Sequence, residues 1–159
     1  MHRFYLASAL CALMAVPLSA SLPEFNASMT RPHQESAKEL LKKASSLASQ
    51  SLTEADPARK ATLLAQSADL YGQIAQDPEF VGHHTSIIIS AAHIYVRAAQ
   101  ASPSADQKKR YYTQSLTFWR ELFETGEISD IDAPMAIQAF EAAGDPEMVK
   151  KIQALHPHP

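Results

Sequence analysis

From Glu35 to Leu155 the apolar residues of this chain recur at spacings of three and four, and short breaks of proline, glycine or polar residues divide them into blocks. The first block predicts a helix over about Glu35–Ser51, with Ala37, Leu40, Leu41, Ala44, Leu47 and Ala48 on one face. Asp56-Pro57 then supplies an N-cap and a proline at the first helical position, opening a second helix to about Gln76. Asp77-Pro78 marks the next turn. A third helix is expected over about Gly82–Ala101; it is apolar around most of its circumference, the pattern of a central helix.

Ser102-Pro103-Ser104 ends the third helix, and Ser104 or Asp106 can cap a fourth that stops before Gly126. The fourth helix carries Tyr111, Tyr112, Phe118, Trp119 and Phe123, and the helical spacing of Tyr112, Trp119 and Phe123 marks those three as core residues. Trp119 is expected against the third helix near Ile88, Ala92 or Tyr95. Asp132-Ala133-Pro134 opens a fifth helix closed by Gly144, and Asp145-Pro146 opens a short sixth that ends near Leu155. No segment sustains a two-residue alternation, and Ile87-Ile88-Ile89 sits inside a helical run.

The pattern therefore predicts an all-α domain over residues 35–155. About six helices form three antiparallel hairpins, because helices joined by short turns pack against each other. The arrangement is a short α-solenoid or a compact helical array, and residues 156–159 form a disordered tail. A shift of 48 residues lays Leu40-Leu41 on Ile88-Ile89, Ala44 on Ala92, Gln66-Ser67 on Gln114-Ser115 and Ile74 on Leu122, so the first two hairpins share a register.

Ahead of the helical domain, residues 1–20 read as a signal peptide. His2 and Arg3 precede an apolar run from Phe4 to Val16, and Pro17 and the small residues around Ala20 follow. That run is 13 residues, shorter than the roughly 20 needed to span a bilayer. Cleavage after Ala20 or Ser21 would leave a periplasmic or secreted chain with no membrane span. Residues 21–34 carry two prolines and no periodicity, so they read as an extended lead-in. Within them, Asn26-Ala27-Ser28 matches a glycosylation acceptor, which matters only in a eukaryotic host. The lone cysteine, Cys11, falls within the leader, so the mature chain forms no disulfide.

Composition narrows the partners. The 159 residues include 14 Lys plus Arg and 17 Asp plus Glu, a net charge of −3, which gives nucleic acid or an anionic membrane nothing to be drawn to. With only 4 glycines, a glycine-rich phosphate loop has almost no material. His83 and His84 are adjacent and on a helix would point about 100° apart, so they do not share a metal. Ser86, Ser90 and His93 share a helical face, but a helix interior offers no free N–H groups for an oxyanion hole. Asp130 and Asp132 lie beside Pro134, where capping accounts for them.

The sharpest candidate is a polar stripe on the third helix. His83, Ser86, Ser90, His93, Arg97 and Gln100 follow alternating steps of three and four, which keeps them on one face of an otherwise apolar helix. The stripe is either a solvated face or the lining of a groove where Arg97 pairs with a partner's carboxylate and His93 and the serines bond its backbone.

The last hairpin carries a family resemblance. Ala133, Phe140 and Gly144-Asp145-Pro146-Glu147 resemble the first helix and inter-helix turn of a tetratricopeptide repeat, over residues 133–155. The resemblance implies a helical-hairpin array that binds proteins or peptides, and it implies no catalytic residue. The reading that follows is an exported, non-catalytic protein- or peptide-binding module without a cofactor, of a kind that serves in a cell-envelope assembly. The alternative is a helical bundle holding a small ligand or metal inside, for which His93 with Met135 or Met148 is the pairing on paper. An enzyme ranks third.

Overall fold

A computed structural model describes residues 36–157; the expected leader, the lead-in and the last two residues lie outside them. Six α-helices follow in order: α1 (Ala37–Thr53), α2 (Pro57–Ile74), α3 (His84–Ala101), α4 (Ala105–Glu124), α5 (Ala133–Ala143) and α6 (Pro146–Leu155). Among the described residues there is no strand, and no helix is long and apolar enough to cross a membrane. The fold is all-α, with each helix packed on the next in an array.

The breaks in the sequence act as the chemistry of helix ends requires. Asp56 Oδ1 accepts from the N–H groups of Ala58 and Arg59 at 2.8 and 3.0 Å and opens α2 ahead of Pro57. Ser36 and Glu39 form a reciprocal capping box on α1. Ser104 caps α4 and Asp145 caps α6 through their side chains. Gly144 closes α5 at φ 77°, a left-handed conformation that favours glycine.

Several helix boundaries fall about two residues from the expectation. The third helix begins at His84 rather than Gly82, because Pro78–His83 winds as a 3-10 turn capped by Asp77. Beyond α6, His156 is held by an Nδ1 contact of 2.7 Å to Asp130 Oδ1, so the chain stays attached one residue past the helix.

Small residues set the packing. Ala91, Ala92, Ala98 and Ala99 on α3 are fully buried and let α2 and α4 come close, which makes α3 the central helix. Leu64 and Ile74 from α2, Val96 from α3, Trp119 and Leu122 from α4, Phe140 from α5 and Ile152 from α6 fill the core. At Gly72 a side-chain carbon would stand 3.0 Å from the Phe118 ring, so this position on α2 is kept bare for an aromatic from α4.

The antiparallel order shows in the contacts at one end of the array. Lys38, at the start of α1, pairs with Glu79 just past α2 at 2.7 Å. His84, at the start of α3, meets the Ala75 carbonyl and Glu121 near the end of α4.

Candidate functional site

The polar stripe is built on α3 because a central helix needs apolar residues on every side that meets a neighbour and polar ones elsewhere. Its members do different things. His83 falls in the 3-10 turn ahead of the helix, exposed, with its ring 6.4 Å from Phe80, so it does not belong to the α3 face. Ser86 Oγ donates to the His83 carbonyl and Ser90 Oγ to the Ser86 carbonyl, both at 2.8 Å. These hydroxyl protons are turned back onto the chain's own backbone, a common fate of serine within a helix.

The second half of the stripe reaches α5. His93 Nε2 lies 2.8 Å from Asp132 Oδ1, a close contact that lacks the geometry of a directed hydrogen bond. The imidazole also leans on Trp119, ring centroids 5.4 Å apart. Gln100 Nε2 donates to Gln138 Oε1 at 2.9 Å. Burial pushes the Tyr112 phenol upward, and the nearby Gln138 amide partly offsets the push.

Arg97 stands between these two links, four residues after His93 and three before Gln100. It is exposed, and among the described residues no side chain pairs with it. The stripe is therefore an α3–α5 face, with His93–Asp132 and Gln100–Gln138 as crosslinks and a guanidinium free between them.

Asp132 departs from its expected role. It occupies the N-cap position of α5 but makes no side-chain cap bond. Its carboxylate instead accepts from Ser129 Oγ at 2.5 Å and meets His93. Asp132 and its links were not visible in the chain, since 39 positions separate it from His93 and a capping aspartate looks the same in sequence. The trio Ser129, Asp132 and His93 has the residue types of a hydrolase site in the wrong order. The serine proton goes to the carboxylate, whereas base catalysis needs it on the imidazole.

Other hollows offer less. A depression of about 470 Å³ between α1 and α2, lined by Gln50, Thr53, Arg59 and Gln66 among others, is open to solvent, and Arg59 Nε already lies 3.5 Å from Glu54 Oε2. Among the described residues no group of three His, Asp or Glu side chains converges on a point that would hold a metal.

No family model matches this chain, and no curated protein or solved structure is significantly similar to it.

Proposed function

We propose that this protein is an exported, non-catalytic module, a tetratricopeptide-like hairpin array that binds a protein or peptide on the α3–α5 face. The single observation behind this reading is Arg97, an unpaired cation whose surroundings are held in place by two side-chain links between helices. A positioned guanidinium recognises a carboxylate with directional hydrogen bonds. The Gln100 amide follows three residues on, linked to Gln138 of α5, and the two amides keep groups that can bond a peptide backbone. The array reading draws further support from the register shared by the first two hairpins. Pro57 and Ala105 open α2 and α4 at an offset of 48 residues, and Ala44 with Ala92, Ser67 with Ser115 and Ile74 with Leu122 are all buried.

Arg97→Ala tests the site. An exposed side chain without a partner contributes little to stability, so the unfolding midpoint should not move, while partner capture from the native host should fall more than tenfold, about 1.4 kcal/mol. Equal capture by the variant and the wild type rejects the site. His93→Ala is the poorer probe, because it removes a ring packed on Trp119 and leaves Asp132 without its counter-group.

Export has its own check. The mature chain is expected to begin at Ser21 or Leu22, and N-terminal sequencing that returns Met1 or His2 from protein in the membrane fraction overturns it.

A further inference from the structure

His84 opens α3, and its ring ties three helices together at one corner. Nδ1 lies 3.0 Å from the carbonyl of Ala75 at the end of α2, and Nε2 lies 2.5 Å from Glu121 Oε1 on α4. Both partners are acceptors: a carbonyl always, a carboxylate when ionised. A neutral imidazole has one N–H, so it can serve one of these oxygens while turning a lone pair toward the other. The two contacts are satisfied together when both nitrogens carry protons. We propose that His84 is a pH-operated staple of the α2–α3–α4 corner, closed while the His84–Glu121 pair holds its extra proton and open once that proton leaves.

The proton count does not depend on which atom of the short Nε2–Oε1 contact carries it. Whether the pair is imidazolium with carboxylate or neutral imidazole with carboxylic acid, one proton is shared and the same step removes it. After that step a bare Nε2 lone pair faces a carboxylate.

The groups around the ring are mixed in sign. Glu121 is the charged side chain against it. The carboxyl ends of α2 and α4 present partial negative charge and favour the imidazolium, whereas the amino end of α3, to which His84 belongs, opposes it. On the 3-10 turn, Asp77 is turned to the Glu79 N–H, Glu79 is paired with Lys38, and His83 faces Phe80. The Glu121 contact, then the Ala75 hydrogen bond, hold His84 above the ordinary histidine value of 6.5, and burial opposes them more weakly. A group raised on folding stabilises the folded state fully below its unfolded value and loses that contribution as pH climbs through the folded one. The staple is thus shut below pH 6.5 and releases on the alkaline side of it. What it releases is the start of α3 and the 3-10 turn that leads into it.

The test uses the mature chain, free of any partner, so it stands apart from the binding role. Ring-nitrogen NMR should show His84 titrating with a midpoint above that of exposed His83. Glu121→Gln should bring that midpoint down to the His83 value or below. In urea, the gap in unfolding midpoint between wild type and His84→Gln should be widest near pH 6 and shrink by pH 9. A His84 midpoint at or below that of His83 in the wild type, or a gap that stays flat across this range, overturns the proposal. If His84→Gln does not fold, the NMR comparison with Glu121→Gln decides alone.

Discussion

Trp119→Ala is expected to lower stability by about 3–5 kcal/mol, the range for emptying a buried aromatic site. Trp119 is fully buried on α4, and its ring packs against His93 of α3. One term acts the other way. The indole Nε1 has no hydrogen-bond partner among the described residues, and a buried orphan donor costs about 1–3 kcal/mol. Trp119→Phe removes that donor and keeps most of the ring, so its loss should be far smaller than that of Trp119→Ala. Urea unfolding followed by circular dichroism compares the two variants. This tryptophan is the chain's 1 Trp, so wild-type emission reports its site directly and should be blue-shifted. Emission like indole in water, together with unchanged stability in Trp119→Ala, refutes the assignment.

The helices were legible because their ends are written locally. Asp-Pro at positions 56–57 and 145–146, Ser104, and Gly144 satisfy or excuse the free N–H and C=O groups of a helix terminus, and that need is the same in any fold. The 3-10 turn over Pro78–His83 was not legible. Asp77-Pro78 announces a start in either helix type, and what sets α3 to begin at His84 includes the pull of Ala75 and Glu121, one of them 37 residues away.

The candidate site divides along the same line. Periodicity gives the angle of a side chain about its helix axis, so it gathers Ser86, Ser90, His93, Arg97 and Gln100 on one face of α3. It says nothing of what stands opposite. That α5 lies there, with Asp132 answering His93 and Gln138 answering Gln100, follows from how α5 packs after the α4–α5 loop. Only that packing separates the bonded members from the free Arg97. The serines show the limit most plainly. Their positions suit a groove, but their protons are spent on the carbonyls one turn back.

Phe140→Ala should release the last hairpin while leaving the rest of the array folded. Phe140 is fully buried on α5, and the Arg120 guanidinium from α4 lies 5.9 Å above its ring. Arg120 is in turn fastened by Asp145, the cap of α6, at 3.0 Å. One aromatic thus joins α4, α5 and the start of α6. Removing it takes away about 3–5 kcal/mol of local packing. The hairpin has little else to offset that loss. α5 and α6 are 11 and 10 residues long, too short to persist as isolated helices, and α6 buries only Val149 and Ile152. α5 packs mainly on α4 and α6, and in an array where each helix leans on its neighbours a terminal unit can open alone. Hydrogen exchange should therefore show α5 and α6 amides losing protection in Phe140→Ala while those of α2 and α3 keep theirs. Because Asp132 and Gln138 leave with α5, the two links beside Arg97 vanish, and partner capture should fall although Arg97 itself is untouched. Equal loss of protection in α2 and α5 would instead mean that the six helices unfold as one unit.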